Sequence, residues 1–348
     1  MSHWYFHPVA LSSGSSAEQA REHQNQLTKP QGSLGYLENM VIQLAGLQQR
    51  VLPAVDNIAI RIFAADHGIV AENISAYPQS VTAEMVKNFS RGGAAITVLA
   101  KQLQADFQVI NLGTIEALEE LPHVVDRRIT AGTQNFINEP AMTPEQLQQA
   151  LLIGRESVIA LEKTDIFVGG EMGIGNTTSA AALACALLGI PAQELAGAGT
   201  GLDEKGIEHK IAVVNHALDI HANKLSQPLM ILQYFGGFEI AALSGAYIAC
   251  AQQGIPAIVD GFISSVAALF ACRLNPAVRP WLLFAHQSAE KGHQQILTAL
   301  NARPIFQLDM RLGEGSGAAL AISVLQQACL LHRNMATFVG AGVTNKQV

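Results

Sequence analysis

Short runs of apolar, often branched residues alternate along this chain with longer stretches in which apolar residues recur every three or four positions. The run Ile58-Ala59-Ile60-Arg61-Ile62-Phe63-Ala64 has the composition of a buried strand and ends in a loop, Asp66-His67-Gly68. Similar runs at 107–112, 165–169, 257–260 and 281–285 predict further strands. Between and after them, helical spacing covers 81–103 (interrupted at Gly92-Gly93), 144–161, 177–188 and 212–224. It returns in 234–251 after a Gly-Gly turn, from about Ser264, and over 317–331. Ahead of the first strand, residues 17–50 read as helical, with a break at 29–33. There Leu34, Leu37, Val41, Leu44 and Leu47 predict an amphipathic helix capped by Ser33.

Strands that alternate with helices predict an α/β fold, a doubly wound and mostly parallel sheet of Rossmann-like form covered on both faces. Functional side chains then belong in the loops after the strands, here 66–68, 169–178, 260–261 and 286–292. The helical segment 1–52 lies outside this alternation. Completed by about 320–348, it is expected to form a small helical domain beside an α/β catalytic domain over 53–319.

Composition narrows the class. Of 348 residues, 49% are hydrophobic and 14% charged, enough for a deep core and too little charge for disorder. The net charge is -7, and lysines and arginines stand singly, so no basic stripe is available for a nucleic-acid backbone. No apolar stretch has the roughly 18–20 uninterrupted residues of a membrane span, and residues 1–11 lack the pattern of a secretion signal. Cys185, Cys250, Cys272 and Cys329 are far apart and read as reduced thiols of a cytoplasmic protein.

Glycines and carboxylates carry the candidate chemistry. Gly169 to Thr178 follows a strand and opens a helix, which presents free N–H groups and the positive helix end to an anion. Residues 170–177 match the spacing of a triphosphate-binding loop, but Asn176 stands where that loop needs lysine, so a monophosphate fits better. A strand-to-helix turn that binds nothing has the same pattern. Gly197 to Asp203 is a second glycine-rich loop, and Lys210 beyond it is either a phosphate partner or a solvated surface lysine. Arg311-Leu312-Gly313-Glu314-Gly315-Ser316-Gly317 sets a carboxylate among glycines. That is a setting for a desolvated general base or for a simple helix-start acid. Asp66-His67 has the look of a metal-ligand fragment without a convincing second cluster. Hydrogen bonds that shape the loop are the better use, and no metal site is expected.

The joint order of these motifs resembles the nicotinate-nucleotide–dimethylbenzimidazole phosphoribosyltransferases of cobalamin lower-ligand biosynthesis. The resemblance runs from Leu27–Gly35 through Ala65-Asp66-His67-Gly68, Ser75–Gln79, Asn88-Phe89 and Gly92–Ala95. It continues through Gly170–Thr178, Gly199–Leu202, Gly236–Ala241 and Asp260-Gly261-Phe262. His286 with Ser288-Ala289-Glu290, and Arg311–Ala318, complete it. Gln31, Gln287 and Lys291 depart from the residues usual at those places.

The resemblance implies a homodimer, small-molecule substrates, no cofactor, and catalytic glutamates at Glu314 and Glu171. It implies transfer of ribose phosphate from nicotinate mononucleotide to 5,6-dimethylbenzimidazole or a related base, giving α-ribazole 5′-phosphate and nicotinate. On this reading Glu314 takes the azole proton and Glu171 stabilises the anomeric carbon as it gains positive charge. The 5′-phosphate is assigned to Gly173, Gly175, Asn176, Thr177 and Thr178, with Gly199, Gly201, Lys210, Ser288 and Glu290. Ser75, Tyr77, Met172 and Leu312 are assigned to the wall of the base pocket. A nucleotide hydrolase and a non-catalytic sensor of mononucleotides are the competing classes. Asn176 counts against the first, and Glu314 separates the second.

Overall fold

The computed structural model describes residues 3–199 and 201–345. Two helices lead, α1 (Gly14–Gln26) and α2 (Tyr36–Leu47), followed by β1 (Ile58–Ala65), α3 (Ser80–Arg91), α4 (Ala95–Gln102), β2 (Asp106–Gly113) and β3 (Val124–Asp126). Next come α5 (Pro144–Ile159), β4 (Ile166–Met172), α6 (Asn176–Leu188), α7 (Ala192–Leu195), α8 (Glu204–His221), α9 (Pro228–Phe235) and α10 (Phe238–Gln253). The chain then forms β5 (Ala257–Val259), α11 (Phe262–Leu274), β6 (Leu282–His286), α12 (His293–Ala299), β7 (Pro304–Phe306) and α13 (Ser316–Asn334).

The strands make one seven-stranded sheet in the order β3-β2-β1-β4-β5-β6-β7, and every pairing is parallel. Every residue of β1 is buried, as a strand covered on both faces requires. Helix α10 packs on β1 and β4 with α5 behind it, and α11 packs on β4 and β5. Helix α4 packs on β2 and α13, and α13 on β4 and β6. Right-handed crossovers put these two groups on opposite faces. The chain winds outward from β1 in one direction and from β4 in the other, and the crevice lies at the carboxyl ends of β4 and the strands that follow it on its side of the sheet.

The interruption expected at Gly92-Gly93 is present: Gly92, in a left-handed conformation, ends α3, and α4 starts at Ala95. Other local details depart from the sequence reading for clear reasons. The helix expected to be capped by Ser33 starts at Tyr36, after Gly35, without a side-chain cap. Glu38 does that work from inside the helix: its carboxylate accepts the Leu34 N–H at 3.0 Å and the buried Lys29 ammonium at 2.8 Å. Strands β3 and β7 have three residues each, too few to show a period. Residues 23–28 are tied to residues 332–337. Gln24 meets His332 Nδ1 at 2.8 Å, Thr28 N–H donates to the Ala336 carbonyl at 3.0 Å, and Leu27 and Thr337 form an antiparallel bridge. Helix α2 packs on both α1 and α13.

Candidate active site

The crevice lies where β4, β5 and β6 end and is closed by the turn that precedes α13. Glu171, Met172, Gly173, Asn176, Thr177, Gly199, Ser288, Glu290, Leu312 and Glu314 all line it, ten of the sixteen residues assigned from sequence. Asp260, Gly261, Phe262, Ile263, Ser264, His286 and Arg311 line it as well.

Glu171 is the next-to-last residue of β4 and is buried. Asn176, first residue of α6, donates its side-chain amide to this carboxylate, and the Glu314 N–H donates to it as well. Burial pushes its pKa well above the ordinary carboxylate value, and the nearby charges of Glu239, Asp260 and Glu314 add to the rise. The segment between β4 and α6 passes so close over β1 that a Cβ on Gly173 would overlap the Ala65 carbonyl. Beneath it His67, completely buried, meets Ser179 Oγ through Nδ1 at 2.9 Å and Glu239 Oε1 through Nε2 at 2.7 Å. His67 thus shapes its loop by hydrogen bonding. Among the described residues, no group of three or more His, Cys, Asp and Glu side chains is arranged to hold a metal ion.

Glu314 sits in a turn of three consecutive left-handed residues, Gly313 (φ 80°), Glu314 (φ 63°) and Gly315 (φ 77°). A glutamate in that conformation is strained and persists only where the surroundings hold it. Its backbone seats against β4 where Gly170 has no side chain. Burial, then the charge of Asp260, raises the Glu314 pKa from 4.5 to about 7. Its Oε2 is buried and has no hydrogen-bond partner among the described residues.

Lys210 is buried. It donates to Thr177 Oγ1 and the Gly197 carbonyl, each at 3.3 Å, and so lies behind the 197–203 loop next to the start of α6. Burial lowers its pKa to about 8, against an opposing pull from Glu290. Ser288 and Glu290 are held by His293: the Ser288 N–H donates to His293 Nδ1 at 2.7 Å, and burial keeps that imidazole neutral by lowering its pKa to about 3. Arg311 donates to the Gly199 carbonyl at 3.1 Å and links the second glycine-rich loop to the segment that carries Glu314. Thr200, in the second loop, lies outside the described residues.

The remaining assigned residues stand apart from the crevice lining. Gly175 (φ 97°) is the left-handed residue from which α6 starts, and Thr178 is completely buried one turn on. Gly201 (φ 117°) sits in the open part of its loop. Ser75 and Tyr77 belong to the connection between β1 and α3, where the Tyr77 N–H donates to Ser75 Oγ at 3.1 Å and the Tyr77 ring is half exposed.

Asp260, His286, His293 and Glu239 were not assigned roles from sequence. Asp260 follows β5 and His286 ends β6, the position where a parallel sheet presents its chemistry. Lys210 also carried a readable signal. With Val213, Val214 and Ala217 it makes the buried stripe of α8 at offsets of three, four and seven.

Comparison with known proteins gives the same picture. A family model described as phosphoribosyltransferase matches residues 10–343. The nicotinate-nucleotide–dimethylbenzimidazole phosphoribosyltransferase of Pseudomonas putida is 56% identical over 345 residues, 99% of this chain and 98% of that protein. The Pseudomonas aeruginosa protein of the same name is 57% identical over 329 residues, 94% of each. A crystal structure of the Thermus thermophilus protein of that name superposes with a TM-score of 0.90 at 42% identity, covering 96% of this chain and all of that one.

Proposed function

The chain belongs to the nicotinate-nucleotide–dimethylbenzimidazole phosphoribosyltransferase family, and on that basis we propose how its crevice carries out the transfer. The reaction moves the phosphoribosyl group of nicotinate mononucleotide to 5,6-dimethylbenzimidazole and yields α-ribazole 5′-phosphate and nicotinate. The pyridinium nitrogen of the donor is cationic, so nicotinate leaves as a neutral-nitrogen ring with the bonding pair. The incoming base attacks the opposite face of the anomeric carbon, which converts β to α. One benzimidazole nitrogen forms the new bond while the other gives up its proton.

Glu314 is the acceptor of that proton. The observation that carries this role is its buried, unpartnered Oε2 at the crevice wall. An oxygen with no internal partner is one a substrate N–H can satisfy, and a pKa of about 7 suits a base at neutral pH. Glu171, held by Asn176, places its carboxyl group where the ribose carbon gains positive charge; burial raises its affinity for a proton, and the cationic mononucleotide is what draws it into the charged form that stabilises the transition state. The start of α6, the Gly199 loop, Lys210, Ser288 and Glu290 take the 5′-phosphate end. Met172 and Leu312 flank the base, with Ser75 and Tyr77 reaching it from the connection after β1. We place the enzyme in the cytoplasm as a homodimer, with a small domain of residues 1–52 and about 320–348 beside a catalytic domain of 53–319. No described helix is long and apolar enough to cross a membrane.

The test is to incubate purified protein with nicotinate mononucleotide and a panel of benzimidazoles, purines and phenols, and to identify products by mass and anomeric configuration. An α-configured ribazole phosphate is expected. No transfer to any base, or a β product, overturns the reading.

A further inference from the structure

The turn that carries Glu314 is strained, and something must hold it. Asp260, the residue after β5, is the group in position to do so. It is buried, and its Oδ1 accepts the Ala318 N–H at 2.7 Å, while the backbone amides of Gly315 and Gly317 lie close enough to favour its charged form. One hydrogen bond and two neighbouring amides thus tie the Glu314 turn and the start of α13 to one side chain. The approach is close: a Cβ at Gly317 would lie 2.9 Å from Asp260 Oδ1 and would overlap the His286 ring.

We propose that Asp260 is a positioning residue for the transfer, fixing the place of Glu314 and keeping it receptive to a proton. The inference rests on Glu314 being the proton acceptor. Other ionisable groups face Asp260: His286 at the end of β6, whose Nε2 is 3.8 Å from Oδ1, Glu171 on β4, Tyr247 on α10, and Glu314 itself. After burial, the charge of Asp260 is what raises the affinity of Glu314 for its proton. The same carboxylate therefore anchors the turn through its lone pairs and tunes the base through its charge.

Asp260→Asn separates the two effects, because the amide oxygen still accepts from α13 while the charge is gone. The variant is expected to melt close to wild type, to shift the acid limb of kcat/KM about one pH unit lower, and to lose roughly threefold in plateau rate as the base weakens. An acid limb that does not move, whatever the rate, overturns the proposal and leaves a plain helix cap. Should Asp260→Asn fail to fold, ¹³C-carboxyl NMR of Asp260→Ser, assigned with Glu314→Gln, takes its place. The Glu314 midpoint is expected below that of the wild type, and an unchanged midpoint overturns the proposal. That titration needs no turnover, so it stands apart from the product assay above.

Discussion

Two glutamates line one crevice, and the chain treats them oppositely. Glu171 extends from a regular strand and has its oxygens engaged, by the Asn176 amide and the Glu314 N–H. Glu314 extends from a strained left-handed turn and keeps one oxygen buried without a partner. A hydrogen-bonded carboxyl group in a regular element is held in one place, and its burial leaves its charged form to be drawn out by a cationic substrate. An unsatisfied one in a held turn has room for a hydrogen from outside the protein. On this contrast rests our proposal of electrostatic stabilisation for Glu171 and proton transfer for Glu314.

The sharpest way to break this contrast is Glu314→Gln, which retains shape and removes basicity. The turnover rate is expected to fall by about 10²–10⁴-fold with little change in the KM for nicotinate mononucleotide, as steady-state kinetics would read. A loss under tenfold would mean the proton leaves by another route. Glu171→Gln keeps a partner for Asn176 and removes the ionisable carboxyl group; its expected cost in kcat is about 10²-fold, in the range of a lost transition-state contact. If this loss exceeds that of Glu314→Gln, the two roles are interchanged.

Lys210→Met tests the far end of the crevice. A roughly tenfold rise in the KM for the mononucleotide is expected, with kcat held within a few fold. Because Lys210 loses its charge as pH rises through about 8, the wild-type KM should climb above that pH and the variant KM should stay flat.

The smallest effect is on stability. The folded-state pKa of Glu314, about 7, lies above its unfolded value near 4.5, so folding favours the protonated form. Its contribution is fully present below about 4.5 and is lost as pH rises through about 7. Urea unfolding at pH 5 and pH 7.5 should show wild type losing on the order of 1–3 kcal/mol relative to Glu314→Gln over that interval. Glu171 acts in the same direction, and because Glu314 is one cause of its raised pKa, the difference between the two proteins reads the pair together.

Both glutamates were readable in the sequence because glycines surround them, and glycines mark places where backbone and ligand approach closely. The order of β1, β2, β4, β5 and β6 with their helices was readable from period alone. What joins the carboxylates was not. Asp260 and His286 each stand singly after an apolar strand, and only the sheet brings them beside Glu314, far along the chain. Glu239 lies in a helix that is buried throughout its first three turns, where no period marks a special residue. The edge strands β3 and β7 were missed because, unlike the equally short and fully buried β5, they are only partly covered and carry no buried apolar run, and Ser33 was credited with a cap that Glu38 supplies through a longer reach.

Helix α13 has a consequence of its own. It begins two residues after Glu314 and runs for 19 residues, about 28 Å, to a far end clasped by residues from the opposite end of the polypeptide: His332 bonds to Gln24 and to the Val51 carbonyl. It is a stiff rod with its fulcrum in the crevice and its handle among residues 23–51. Loosening the handle, by a fused tag or by Gln24→Ala, is expected to disturb the seat of Glu314, which steady-state kinetics would read as a lower kcat.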